Sequence, residues 1–344
     1  MQQESIAMVP KWLIGLVCFW LSFFAILLNL LIFFPVFRLA FVSRKSTIYI
    51  IAFFNILSDL YQLSITCFLL SASILADSCI LSNDQLNFQS FLLGGLFMIA
   101  WFMECLVQIV MAVNRFTVIT LNNQTFFTFT STMIIFVILL STTIISALCV
   151  QFLFPCCPLI ADPQIMSYIF VNVDGLYSYS NALSIAYDVI CTSISILCYM
   201  SVLFSIRKSN KLAPANVAAN RINQEVKYLI QFVFISIFYI FTWVLFQLLP
   251  HIVPANQPEW FAIVPVTIAC NCSSNPIIYL STNPEVQRTL QVPWIRDRLV
   301  RGQGSTTAAV AANFSKPRRE FTMTQDNLLR VRWLVSQDIR QPIR

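Results

Sequence analysis

Three carboxylic acids, one arginine and a set of amides stand in a chain that is otherwise mostly hydrocarbon: Asp59, Glu104, Asp188, Arg115, Asn29, Asn271 and Asn275. Two acids close together in a low-dielectric medium cannot both stay ionised cheaply without a cation. Asp59 and Glu104 therefore call for a shared proton or a small cation, and sodium bridged by Asn29 and Asn271 is the expected ion. The alternative is that each acid is neutralised separately by hydrogen bonds to a neighbouring helix. Asp188 offers a partner for a ligand's cation or polar group, or else it snorkels to the outer interface. One histidine, His251, removes His-based metal or base chemistry from the apolar part of the chain. Without a His-paired nucleophile or a metal cluster, the sequence does not read as an enzyme. It calls for no cofactor beyond sodium.

Helical periodicity positions these groups. Trp101, Glu104, Gln108 and Arg115 follow at spacings of 3, 4 and 7, so they share one face of a helix within the apolar run 88–115. Asn55, Asp59, Gln62 and Thr66 do the same at spacings of 4, 3 and 4. Asn271, Asn275 and Tyr279 form a stripe at spacing 4, interrupted by Pro276. Asn181, Ser184, Asp188, Thr192, Ser195 and Tyr199 form another stripe, and Tyr239, Trp243 and Gln247 a further one. At 1.5 Å per residue, Asn29, Asp59, Glu104 and Asn271 lie ~13, ~18, ~16 and ~13 Å from one end of their helices, which makes a single layer. Asp188 counts ~28 Å from the same end, toward the opposite surface.

Those helices belong in a membrane. The 344 residues are 58% hydrophobic and 10% charged, against roughly 25% charged in soluble domains. Seven apolar runs, 12–37, 47–75, 88–115, 126–154, 176–206, 226–249 and 260–280, are each long enough to span a bilayer. Ionisable stripes in such helices turn toward the bundle interior or a wet cavity, and helix 3 becomes the axle of the bundle. Of 21 Lys and Arg, 20 fall on one side of a seven-span arrangement and Lys11 alone on the other. The positive-inside bias then puts the N-terminus outside and the tail in the cytoplasm. The net charge of +6 is read as topology, not as a nucleic-acid patch. The first run is too long for a signal-peptide core and has no basic segment before it, so it is an uncleaved anchor. Domains are read as a short outer segment 1–11, a seven-helix domain 12–282 and a mostly disordered cytoplasmic tail 283–344, whose start, 285–290, suits a short surface helix. The loop 207–227 is basic and faces the cytoplasm. Eight cysteines lie in apolar runs as small hydrophobes. Cys79, Cys156 and Cys157 fall in outer loops, where a bridge from Cys79 runs to Cys156 or to Cys157.

The motifs carry a resemblance. Asn275-Pro276-Ile277-Ile278-Tyr279 resembles the NPxxY motif in the seventh helix of G-protein-coupled receptors, and Asn29 and Asp59 match that family's polar residues in helices 1 and 2. Asn114-Arg115-Phe116 stands where the family has Asp/Glu-Arg-Tyr. With Tyr187-Asp188, this form is similar to the nematode serpentine chemoreceptors, most like class X, over roughly residues 10–290. The sequence departs from the wider family in lacking Trp in helix 4, Pro in helix 5 and Pro two residues after Trp243, and Asn114 cannot pair ionically with Arg115. Helix 7 has no Lys, which excludes a retinal Schiff base. The resemblance implies an all-α, rhodopsin-like seven-transmembrane bundle in the plasma membrane, with sensory-neuron cilia as the expected site. It implies an outer ligand, small molecule or peptide, and coupling to a heterotrimeric G protein. Asn114, Arg115, Phe116, Pro276 and Tyr279 would serve activation, and Trp101, Asp188, Tyr239 and Trp243 would line the ligand pocket. The alternative is a transporter or ligand-gated channel using the acidic layer as an ion path; the lack of an internal repeat speaks against it.

Overall fold

The computed structural model describes residues 10–76, 88–123, 125–171, 173, 175–212, 218–254 and 256–290. The chain divides into a unit of Met1–Leu290, which holds all of these, and one of Gln291–Arg344, which lies outside them. Seven helices are long and apolar enough to cross a membrane: Lys11–Val42, Thr47–Ala76, Leu92–Ile119, Phe129–Leu153, Tyr179–Lys208, Val233–Ile252 and Pro258–Thr282. They are called spans 1 to 7. Their outward residues are hydrocarbon, Phe34, Val137, Leu197 and Phe241 among them. So much exposed apolar surface suits lipid, where backbone polar groups must be satisfied within each helix.

Span 3 is the axle that its stripe predicts. Of its most apolar stretch 72% is buried, against 17% for span 6, and it packs on spans 2, 4 and 5. Spans 1 and 7 pack on each other and on span 2. Two apolar clusters fill the interior. One, around Phe97, Phe102, Ile74 and Tyr239, lies toward the end that carries the chain's beginning. The other, around Ile50, Ile56, Phe136 and Val202, lies toward the end of Arg115. Spans 1, 2 and 4 widen into π turns at Arg38–Val42, Thr66–Leu70 and Cys149–Leu153.

Three features go beyond the sequence reading. First, the segment between spans 4 and 5 is not plain loop. Strands β1 (Leu159–Asp162) and β2 (Ser167–Phe170) pair antiparallel, Asp162 opposite Ser167, and Met166 turns the connection at φ 58°. The hairpin packs β1 on span 3 and β2 on span 7. Second, Cys156 is joined to Cys157. The two are adjacent in sequence; Cys79, from which a bridge to one of them is expected, lies outside the described residues. Third, the basic segment 207–227 is largely helix, because Tyr179–Leu212 and Ala218–Ile252 run on past the apolar stretches. Its Asn, Ala, Gln, Lys and Arg residues end the hydrophobic signal without ending helix propensity; Pro214 lies outside the described residues. The short helix expected at the start of the segment after span 7 is present as Pro284–Thr289, capped by Asn283 Oδ1, which accepts from the Glu285 and Val286 amides. The expected disorder of the tail concerns residues 291–344, outside the described ones.

Candidate functional site

The polar layer is assembled as the rise arithmetic predicts. Asn29, Asp59, Glu104, Asn271 and Asn275 come together from spans 1, 2, 3 and 7, each at most 2% exposed. Glu104 accepts from Gln62 Nε2 at 2.7 Å and from Asn271 Nδ2. Asp59 Oδ2 accepts from Asn275 Nδ2 at 2.8 Å and Asn55 Nδ2 at 3.2 Å. Asn29 Nδ2 donates to the Cys272 carbonyl, tying span 1 to span 7. Each carboxyl thus has its own pair of amide donors, and among the described contacts no hydrogen bond joins the two acids. Asn55 and Gln62 are the residues that sequence reasoning left unassigned, although both lie on the stripe of Asp59.

The same amides leave their oxygens buried without a hydrogen-bond partner: Asn29 Oδ1, Asn55 Oδ1, Gln62 Oε1, Asn271 Oδ1 and Asn275 Oδ1. Buried polar atoms are normally satisfied. Neutral oxygens beside two carboxyls are the donor set that a hard cation takes. Among the described residues no group of three His, Cys, Asp or Glu is placed to hold a metal, so a site here would be built chiefly from amide oxygen.

A second polar cluster lies toward the hairpin. Asp188 is 1% exposed and does not snorkel. Span 5 begins at Tyr179, nine residues earlier, so Asp188 sits ~13 Å below the start of its helix. The 28 Å counted from the other end of so long a helix does not reach the surface. Asp188 Oδ1 accepts from Tyr239 OH at 2.5 Å, Trp101 Nε1 at 3.1 Å and Cys105 Sγ at 3.4 Å. Trp101, Asp188 and Tyr239, three of the four expected pocket residues, are therefore in contact. Trp243, one turn from Tyr239, stays half-buried at the edge of the apolar cluster, its indole N–H buried and unpartnered. Cys105, expected as one of the small hydrophobes of the apolar runs, also brings its thiol to the Tyr239 hydroxyl at 2.6 Å. Its place one turn from Trp101, on the same stripe, was the available signal.

Above this cluster lies a cavity of about 10 Å³, the room of a single water. Trp101 forms part of its wall, with Phe97, Phe246, Ser184 and Thr242, and the hairpin roofs it through Leu159 and Tyr168. Tyr168 stacks on Phe97 at 4.0 Å between ring centres, and its hydroxyl meets Thr66 Oγ1 at 3.0 Å. Burial pushes the Tyr168 phenol well up, outweighing that hydrogen bond, so the roof is neutral. The side chain of Gln151 fixes β1, donating to the Leu159 carbonyl at 2.8 Å and accepting from the Leu159 amide at 3.0 Å.

At the opposite end Asn114 and Tyr279 are buried, and Arg115 and Phe116 half-buried. Arg115 interacts electrostatically with Tyr199 of span 5. Pro276 lies inside the continuous seventh helix. Lys45 pairs with Glu285 at 3.2 Å, and Tyr49 OH donates to Glu285 Oε2 at 2.8 Å, which docks the helix Pro284–Thr289 on span 2.

Seven spans around a buried carboxyl–amide layer, with a roofed cavity at one end and the Asn-Arg-Phe triplet and the NPxxY tyrosine toward the other, define a seven-transmembrane bundle of the rhodopsin-like fold. The fold matches the crystal structure of squid rhodopsin with a TM-score of 0.65 over 85% of this chain and 89% of that one, at 16% identity. The chain belongs to the serpentine type 7TM GPCR chemoreceptor Srx family, which it matches over residues 19–281. No curated protein matches the sequence. The family and fold make it a multi-pass membrane receptor rather than an enzyme.

Proposed function

We infer that the protein binds a chemical from outside the cell at the end that the hairpin covers and activates a heterotrimeric G protein at the Arg115 end. The observation that carries the reading is the continuity of span 3. Within one buried helix it offers Trp101 to the cavity, Glu104 to the polar layer and Arg115 to the far end. A ligand that favours one arrangement of the helices around this axle raises the population in which the far end accepts its partner. Nucleotide exchange on a purified G protein, measured with the receptor in lipid, tests this. Arg115→Ala is expected to abolish exchange while ligand binding persists, its affinity changed by no more than the coupling between the two sites, about 5–150-fold. Ligand-dependent current or substrate uptake without G protein would move the protein to the transporter or channel class instead.

The orientation expected from the basic residues puts Arg115 and the loop after span 3 in the cytoplasm. That loop contains the acceptor sequence Asn123-Gln124-Thr125, whose Thr125 Oγ1 donates to Asn123 Oδ1 at 2.7 Å; Gln124 lies outside the described residues. Asn123 is expected to carry no glycan in a mass-spectrometric map of protein from a secretory host. Sugar there would invert the topology and end the G-protein reading.

A further inference from the structure

We propose that the seam between spans 3, 5 and 6 binds ordered water through Gln108, Ser195, Tyr199 and Ser236, and that this water stands in for direct side-chain contact between span 6 and the axle. Spans 3 and 5 run in the same direction. Cys191 Sγ donates to the Cys105 carbonyl at 2.9 Å, and farther along Tyr199 interacts with Arg115. Ser195 lies midway between Cys191 and Tyr199 at spacings of four, so it shares their face. Gln108 follows Cys105 by three residues and precedes Arg115 by seven, which puts it at the same level on span 3. Span 6 runs the opposite way. Its Tyr239 meets Cys105 and Asp188, and Ser236, three residues earlier, lies one turn nearer Arg115 and interacts with Tyr199. The four side chains therefore turn into one seam just beyond the Asp188 cluster.

All four are at least nine-tenths buried. Yet Gln108 Nε2 and Oε1, Ser195 Oγ, Tyr199 OH and Ser236 Oγ have no full hydrogen bond. Buried polar groups are ordinarily satisfied, and here a whole amide and three hydroxyls wait together. Glu104, one turn from Gln108, is engaged instead by Gln62 and Asn271. The chemistry of the seam selects its occupant. It offers an amide donor, an amide acceptor and hydroxyls that do either. A cation would leave Gln108 Nε2 unserved and an anion would leave Oε1, whereas water both donates and accepts. One buried water makes typically about three such bonds. These bonds break and reform without side-chain repacking. The Arg115 end of span 6, the least buried of the seven, can then shift against span 3 at small cost.

Radiolytic labelling of the full-length receptor in lipid nanodiscs tests this, because X-rays split bound water into radicals that oxidise its neighbours in place. A scavenger in the bulk removes radicals arriving from outside. Under these conditions Tyr199 is expected to be oxidised, and Phe136, buried in the apolar cluster, is not. In Gln108→Met, which keeps the length of the side chain and removes the amide, the Tyr199 signal should fall to the level of Phe136. Thermal melts give a second reading. Groups joined through shared water are coupled, so Gln108→Met combined with Ser236→Ala should lower the apparent Tm by less than the sum of the two single shifts. Tyr199 as silent as Phe136 in the parent would overturn the proposal, and that measurement stands whether or not the variants fold. So would a Gln108→Met protein that melts above the parent, as a dry and orphaned amide requires, or single shifts that simply add.

Discussion

Gly94→Ala is expected to lower the receptor's apparent Tm and its yield at the cell surface, whereas Gly95→Ala one residue later is not. A Cβ built on Gly94 would lie 1.9 Å from the Leu159 carbonyl oxygen and 2.7 Å from Gln151 Nε2. The first of these is backbone in β1 and cannot rotate away. Span 3 or the hairpin must move, and with it the two hydrogen bonds between Gln151 and Leu159. Overpacking costs typically about 1–3 kcal/mol, and stranding buried polar groups about 1–3 kcal/mol more. A total near 3 kcal/mol is a large share of a marginal stability, on the order of 5–15 kcal/mol. On Gly95 the new Cβ would meet only the Gln151 side chain, at 3.0 Å from Cγ, and that side chain can yield. Thermal melts of the two purified variants beside the parent decide it. A Gly94→Ala protein melting with the parent would show that the hairpin does not sit against span 3 as described.

The contrast between these glycines illustrates what the sequence does and does not reveal. Spans 2, 3 and 7 could be read with their faces because a polar group in lipid must turn inward. The spacing of Asp59, Glu104, Asn271 and Asn275 thus determined their meeting as well as their helices. The hairpin could not be read so. Ser167-Tyr168-Ile169-Phe170 is a fair strand sequence, but in a loop of an otherwise helical chain nothing in its period says where it folds back. What holds it is tertiary: Gln151, a residue of the neighbouring helix, and the absence of a side chain at Gly94. The partition of the polar layer was equally hidden. Spacing shows that two carboxyls share a depth, but not that Asn55 and Asn275 serve one and Gln62 and Asn271 the other, because amide rotamers are set by the packed neighbours. The burial of Asp188 was missed because rise was counted from one end of a helix longer than the membrane is thick, and an apolar run does not mark where the outer surface begins.

The remaining large effect is expected at Glu104. Replacing it by glutamine conserves volume and keeps one carbonyl oxygen to accept a hydrogen bond, but adds an amide donor. That donor needs an acceptor, and one is at hand: Gln62 Oε1 and Asn271 Oδ1 are both buried without a partner, so rotating either amide turns a donor toward Glu104 into an acceptor. The fold should therefore survive, with a stability change of about 1 kcal/mol or less, the scale of one neutral hydrogen bond. Glu104→Leu offers neither oxygen and strands both amides, at about 1–3 kcal/mol each; it separates packing from charge. What Gln cannot replace is the negative charge. With Asp59 and Glu104 both present, a sodium ion among the surrounding amide oxygens would offset their repulsion and would stabilise the arrangement of spans 1, 2, 3 and 7 in which the layer is intact. By linkage, sodium is then expected to lower basal nucleotide exchange in the parent. In Glu104→Gln the repulsion and the reason for a cation disappear together, so basal exchange should shift and cease to depend on sodium, while Glu104→Asp keeps part of both. If each acid is instead neutralised by its own pair of amides, Glu104→Gln will signal like the parent at every sodium concentration, and so will the parent itself with sodium replaced by N-methylglucamine. Exchange rates for parent, Gln and Asp receptors across a sodium series distinguish the two, and a flat response in the parent would remove the ion from the site.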